Sequence, residues 1–148
     1  MVIDGPPRTG AFVRWSYPPQ PETPGLARRQ LDPVLERWHV GPDDRWAALL
    51  VMSELVTNAV EHARTGLSLV VTRTTEGLLI EVSDESSAEP RLQEPGVVQR
   101  RGHGLRVVQG LTCRWDWTPS AGGKTVWATV PLARTDGSGP DDSVSFAT

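Results

Sequence analysis

Glu54 and Asn58 are the residues of this sequence whose types and spacing could do chemistry together. They lie four residues apart in the stretch DRWAALLVMSELVTNAVEHA, residues 44–63, which contains neither Gly nor Pro. On a helix this spacing places both side chains on one face, about one turn apart. An acid and an amide so placed can hold a metal ion and orient a nucleophile. They are equally typical of the polar side of an amphipathic helix, which periodicity alone favours.

An apolar repeat predicts the helix that would position this pair. Apolar side chains recur at spacings of three and four, which forms one stripe of a helix. These residues are Leu49, Met52, Val56, Ala59 and Ala63. Gly41 and Pro42 precede the stretch, and Asp43 or Asp44 is expected to cap the helix. Leu50, Val51 and Leu55 border the polar pair, and such a border fits the wall of a cleft better than an open surface.

A second carboxylate, Asp84, ends a predicted strand. Two β-rich runs flank Glu76-Gly77, which predicts a β-hairpin. In the second run Leu78, Ile80 and Val82 share one face, and Asp84 continues that face. Asp84 is therefore either a turn-forming residue or a ligand group aimed into a cavity, and the alternation leaves both open.

The stretch 85–101 has no sustained periodicity and contains two prolines, so it is predicted to be a lid or a binding loop. It ends at Gly102, His103 and Gly104, and helical spacing resumes at Leu105. Glycines at the start of a helix let a ligand approach the backbone, and the free N–H groups there suit phosphate. Most such glycine pairs, however, are only turns.

Composition restricts the class of protein. A chain of 148 residues with 38% hydrophobic residues and 22% charged residues fits one globular domain. A net charge of -3 gives no electrostatic reason to expect a nucleic acid or an anionic membrane as partner. The single cysteine, Cys113, excludes an intramolecular disulfide, and there is neither a membrane-length apolar run nor a signal core. We expect a cytoplasmic protein.

The predicted elements follow the order β, α, α, β, β, lid, α, β, β. Residues 18–25 are expected to be a loop because four of them are prolines. In the first helical region Pro33 marks either a kink or the first turn of a helix that begins near Asp32. This order predicts an α+β two-layer sandwich, with helices on one face of a mostly antiparallel sheet. The folded domain is expected over 11–132, with flexible tails at 1–10 and 133–148.

Four segments resemble motifs of the GHKL ATP-binding domain, the Bergerat fold that histidine kinases, gyrase and heat-shock ninety chaperones share. ELVTNAVEHA is similar to its N box, VSDESSAEP to the adenine-binding G1 box, RGHGLRVV to the G2 box and GGKTVWATVP to the closing strand. The likeness covers residues 11–132. It is greatest to the small anti-sigma-factor serine/threonine kinases and their actinobacterial relatives.

The resemblance implies a role for each matching residue. Asn58 would be the Mg²⁺ ligand that holds the triphosphate of ATP, and Glu54 would orient or deprotonate the attacking hydroxyl. Asp84 would accept a hydrogen bond from the adenine amino group, with Thr125 supporting that contact. The phosphates would be bound by the G2 segment, which consists of Gly102, His103, Gly104 and Leu105.

The resemblance implies a cytoplasmic ATP-binding regulator. In the family such a kinase phosphorylates a serine or threonine of an antagonist protein and controls a sigma factor by partner switching, and dimers are common. The alternative is a non-catalytic interaction module of the same fold with weak or no nucleotide binding. This alternative is motivated by residues 84–88, which contain no glycine where the family's G1 box has several.

Overall fold

A computed structural model describes residues 10–86 and 114–132 of the chain. Its elements are β1 (Phe12–Tyr17), α1 (Thr23–Arg37), α2 (Pro42–Asn58), a π-helix (Ala59–Ala63), β2 (Leu67–Thr74), β3 (Gly77–Asp84), β4 (Arg114–Ser120) and β5 (Gly123–Val130). The predicted C-terminal tail, all but one residue of the N-terminal tail, most of the predicted lid and the helix expected from Leu105 lie outside the described residues, as does Cys113.

The described strands form one sheet in the order β1-β2-β3-β5-β4, and all neighbouring strands are antiparallel. The predicted hairpin at Glu76-Gly77 is confirmed, since β2 and β3 pair from Thr74 and Gly77 onward. A second two-residue turn joins β4 to β5. Helix α2 packs against β3 and β5, and α1 packs against α2. The α+β sandwich is therefore confirmed.

The hydrophobic core lies between this sheet and the helices. Alternate residues of β2, β3 and β5 are buried, as expected for a sheet with one covered face. Trp115 and Trp117 of β4 are partly buried and pack against the same core. The largest fully buried side chains are Leu31, Leu35, Met52, Leu69, Leu78, Ile80, Val51, Val56, Val71, Val82 and Val130.

Helix α1 begins earlier than the sequence pattern predicts. Its first residue is Thr23, so the expected loop at 18–25 is too long at its C-terminal end, and of the two alternatives for Pro33 the helix start near Asp32 is wrong. Pro24 is tolerated because the first turn of a helix leaves its N–H groups without intrahelical partners. The Thr23 hydroxyl donates to the Pro18 carbonyl oxygen at 2.7 Å, which ties this turn to the end of β1. Pro33 lies inside the helix.

Helix α2 begins at Pro42 with Gly41 at the N-cap, so neither Asp43 nor Asp44 caps it. Both acids lie in the first turn, where the helix dipole favours negative charge. The α-helix ends at Asn58, and the chain continues as a π-helix closed by the Arg64 N–H, which donates to the Ala59 carbonyl oxygen at 3.1 Å. None of the described helices is long and apolar enough to cross a membrane.

The buried face of α2 is wider than the predicted stripe. Its buried residues are Ala48, Val51, Met52, Ser53, Leu55 and Val56, whereas Leu49 is only half-buried. The helix is covered by the sheet on one side and by α1 on another, so a single stripe is too narrow to describe it. Only a small part of the surface of α2 therefore remains accessible to solvent.

Candidate functional site

Glu54 and Asn58 lie one turn apart at the C-terminal end of α2. Both are half-buried, while their neighbours Leu55 and Val56 are buried and fix the rotation of the helix. The change from α-helix to π-helix directly follows Asn58. Single π-helical turns inside helices are frequent at functional sites because they re-aim the side chains beside them. The polar pair predicted from spacing is therefore present on a rigid, well-packed element.

The chain that follows Asn58 brings the end of α2 close to the end of β3. The π-helix packs against β3, and Leu67, the first residue of β2, lies opposite Asp84 in the sheet. The backbone N–H of Glu85 donates to the Thr65 hydroxyl at 2.9 Å. The C-terminal ends of α2 and β3 thus meet at one end of the sandwich. The π-helix that directly follows Asn58 therefore contacts β3, the strand that ends at Asp84.

Asp84 is buried, with 7% of the residue exposed. The backbone N–H of Ser86 donates to its Oδ1 at 2.8 Å, which is the hydrogen bond of an Asx turn. The prediction that Asp84 shares the inward face of Leu78, Ile80 and Val82 is confirmed by the alternating burial of β3. Asp84 is consequently turn-forming, and its carboxylate also faces the interior.

A buried lysine forms an ion pair with the same carboxylate. Lys124 Nζ lies 3.1 Å from Asp84 Oδ1 and 3.1 Å from Oδ2, and the side chains are only 4% and 2% exposed, respectively. Sequence reasoning missed this partner, although two signals point to it. Lys124 is the only lysine of the chain, and it continues the inward face of Val126 and Ala128 in β5. The pair neutralises two charges that have almost no contact with solvent.

Gly123 makes this approach of β5 to β3 possible. A Cβ atom at this position would lie 1.9 Å from the Asp84 carbonyl oxygen and 2.8 Å from the Glu85 Cα atom. No side chain fits that space without moving the backbone. The glycine before the lysine is therefore required for the close contact between the end of β3 and the start of β5.

Thr125 lies on the other face of the sheet. It pairs with Ser83 in the β3–β5 register, and the two hydroxyl oxygens are 2.7 Å apart. Asp84 pairs with Lys124 instead. The described contacts thus unite Asp84 with Lys124 and leave Thr125 apart from them. The remaining predicted site residues, Gly102, His103, Gly104 and Leu105, lie outside the described residues.

The chemistry of these groups fits a nucleotide in part. The oxygens of Glu54 and Asn58 are of the kind that Mg²⁺ prefers beside phosphate. Within the two described ranges no three His, Cys, Asp or Glu side chains cluster as a metal site. Asp84 is a buried acceptor suited to an exocyclic amine, but Lys124 already donates to its Oδ1 and forms an ion pair with its Oδ2.

Comparison with models of known protein families identifies the family of this chain. The model of the histidine kinase-like ATPase domain matches residues 17–130, most of the chain. The chain belongs to this family, whose fold is of the GHKL type. Comparison with curated proteins gives no match.

Solved structures give the same fold. The RsbU and RsbW domains of Rv1364c from Mycobacterium tuberculosis match with 21% identity and a TM-score of 0.63, over 84% of this chain and 33% of that chain. The blue-light activated histidine kinase EL346 of Erythrobacter litoralis matches with 24% identity and a TM-score of 0.52, over 65% and 33%. The chain therefore spans about a third of the length of each of these structures. The family match supports an ATP-binding domain, and the solved structures support its fold.

Proposed function

We propose that this chain is a serine/threonine protein kinase of the anti-sigma-factor type, which phosphorylates an antagonist protein and controls a sigma factor by partner switching. The observation that carries the proposal is the pair Glu54 and Asn58, one turn apart at the end of α2 that meets the end of β3. This pair lies within the matched ATPase region. An acid and an amide beside a nucleotide site are what phosphoryl transfer to a hydroxyl requires.

Each residue of the pair has a distinct role in this proposal. The Asn58 side-chain oxygen binds the Mg²⁺ ion that accompanies the triphosphate. Glu54 accepts the proton of a substrate serine or threonine hydroxyl as that oxygen bonds to the γ-phosphoryl group and ADP leaves. ATP supplies the phosphoryl group, and Mg²⁺ neutralises its charge. The chain's contribution is therefore to position both reactants on a rigid helix.

The proposed partners are an antagonist protein and a sigma factor in the cytoplasm. The similarity to a structure that contains RsbU and RsbW domains supports a partner-switching role. The net charge of -3 gives no electrostatic reason for direct binding to nucleic acid. A homodimer, common among the proteins that the sequence resembles, is part of the same proposal.

Incubation with labelled Mg-ATP and candidate antagonist proteins tests the kinase activity. We expect Glu54→Gln to keep nucleotide binding and lose at least about 100-fold in transfer rate, as is typical when a general base is removed. Glu61→Gln, which removes the same charge from the exposed π-helix, is the matched control and should transfer at the wild-type rate. Full transfer by Glu54→Gln would contradict the assigned base.

A second function has its own support, namely a non-catalytic interaction module with weak or no nucleotide binding. The Asp84 carboxylate is already satisfied by Lys124 and by the Ser86 N–H. Residues 84–88 also contain no glycine. Partner binding that is unaffected by ATP, together with no phosphate transfer, would favour this module over the kinase.

A further inference from the structure

We propose that Lys124 is an internal competitor for the base amine at Asp84, so that the intact ion pair weakens nucleotide binding and removes selection for adenine. The proposal rests on the proposed function, because it concerns the same nucleotide site. It adds a residue that none of the motifs assigns and gives it a role in affinity and base specificity.

Three contacts from donor groups already converge on the Asp84 carboxylate. Oδ1 accepts from the Ser86 N–H at 2.8 Å and from Lys124 Nζ at 3.1 Å, and Oδ2 lies 3.1 Å from the same ammonium in the ion pair. The exocyclic amine of adenine is a neutral donor, whereas a lysine ammonium carries a full charge and three donors. Charge-assisted hydrogen bonds are about twice as strong as neutral ones. The base amine is therefore the weaker competitor for Asp84.

Burial makes displacement of the lysine unfavourable. Both side chains are almost fully enclosed, so an ammonium that leaves Asp84 has no adjacent solvent to hydrate it. Separation would leave two uncompensated charges in a poorly polar interior, which is strongly destabilising. Nucleotide binding that requires this separation is weakened by the same free energy. A base can also bind without contacting Asp84, but it then loses the contact that distinguishes an amine.

The strand register holds Lys124 in this position. Asp84 and Lys124 are direct partners in the β3–β5 ladder. On the opposite face the Ser83 and Thr125 hydroxyls lie 2.7 Å apart, and Gly123 allows the two backbones to approach closely. The ion pair is thus built into the β3–β5 ladder, at the end where β3 stops and β5 starts. A substitution at Lys124 can open the acceptor without altering the other predicted ligands.

Titration calorimetry with Mg-ATP and Mg-ITP tests the proposal, because the two nucleotides differ only at the 6-position and N1 of the base, where ITP has a 6-oxo group and an N1–H in place of the 6-amino group and bare N1 of ATP. We expect the wild type to bind both weakly, with dissociation constants within about 3-fold of each other. Lys124→Thr should bind ATP at least about 10-fold more tightly and prefer ATP to ITP by at least about 10-fold, a change of about 1.4 kcal/mol. Lys124→Arg keeps the charge at Asp84 and should behave as the wild type does.

Two results separate failure of this inference from failure of the proposed function. A wild type that already prefers ATP to ITP by about 10-fold or more would overturn the competitor role, while nucleotide binding would stand. The competitor role would also be overturned if folded Lys124→Thr and the wild type bound ATP with equal affinity. No binding of either nucleotide to any folded variant would overturn both proposals.

A measurement on the wild type covers the case in which Lys124→Thr does not fold. Because Lys124 is the only lysine, ε-¹³C-lysine labelling gives a single side-chain NMR signal. The competitor role predicts that ITP at saturation leaves the signal at its ligand-free position. It predicts that ATP at saturation leaves the signal there as well, because the base does not displace the lysine, and a shift toward the signal of a solvated lysine would contradict the intact ion pair. A wild type that selects ATP over ITP with an unmoved lysine signal would contradict the competitor role.

Discussion

At the scale of single residues, the sheet contains charged side chains that are buried or half-buried on each of its faces. Asp84 and Lys124 compensate each other on the core face of the sheet. On the opposite face Glu81 lies between Val70 and Trp127 of the neighbouring strands and is half-buried. Burial raises the pKa of Glu81 above its usual range. The carboxyl group of Glu81 therefore holds its proton more tightly than an exposed glutamate does.

This pKa shift predicts a pH dependence of stability. Because the folded state holds the Glu81 proton more tightly than the unfolded chain does, the free energy of unfolding decreases as the pH rises above about 4. Glu81→Gln should therefore raise the Tm at pH 7 and change it little near pH 4. Thermal unfolding followed by circular dichroism from pH 4 to 8 measures both effects.

Glu76→Gln is the control for this prediction, since Glu76 is exposed in the β2–β3 turn and the charge change is identical. It should leave the Tm nearly constant at both pH values. An equal rise of the Tm in both variants would assign the effect to net charge rather than to the burial of Glu81.

Gly123 provides a second residue-scale prediction. Gly123→Ala should lower the free energy of unfolding by at least about 2 kcal/mol, because the added Cβ would lie 1.9 Å from the Asp84 carbonyl oxygen. Gly25→Ala in α1 meets only ordinary contacts at 3.6 Å and should raise it by about 0.5–1 kcal/mol. Urea unfolding compares the two. A tolerated Gly123→Ala would show that β5 does not need this close approach.

At the scale of elements, local patterns predicted the β2–β3 hairpin and the central helix, but not the boundaries of the helices. The pattern around Pro24 suggested a loop, because a proline in a first turn and a proline in a loop look alike in sequence. The π-helix after Asn58 has no distinct pattern either, since its apolar spacing continues that of α2. Tertiary packing decides both features.

Pro33 allows the account of α1 to be tested. A proline inside a helix lacks the N–H for the hydrogen bond to the residue four before it and crowds that carbonyl. Since Pro33 is exposed, Pro33→Ala loses little packing and should raise the free energy of unfolding by about 1–3 kcal/mol. Pro24→Ala, in the first turn, should change it by less than about 1 kcal/mol. Chemical denaturation compares the two, and a destabilised Pro33→Ala would show that the proline supports a needed bend.

The Lys124–Asp84 contact shows why part of the site could not be predicted from sequence. The two residues are 40 positions apart and meet only through the β3–β5 pairing. Motif resemblance drew attention to Thr125, one residue away, and this single step moves a side chain to the other face of the sheet. Glu54 and Asn58, by contrast, are related by local helical spacing and were found directly.

At the scale of the whole molecule, the chain is a histidine kinase-like ATPase domain with a five-stranded sheet over its described residues. The order of elements and the four motifs were sufficient to predict this fold. The domain limits 11–132 stay a prediction, and the family match covers 17–130. The full activity and partners of the longer proteins that share the fold are proposals for this chain, which spans about a third of them.

The Mg²⁺ dependence of ATP binding tests most directly whether the end of α2 is a nucleotide site. Calorimetry with and without Mg²⁺ would compare the wild type with Asn58→Ala and with Thr57→Ala, its half-buried neighbour. We expect Mg²⁺ to strengthen ATP binding to the wild type and to Thr57→Ala. Asn58→Ala should lose at least about 10-fold in Mg-ATP affinity and show no gain from Mg²⁺. Wild-type Mg-ATP affinity in a folded Asn58→Ala would contradict the site.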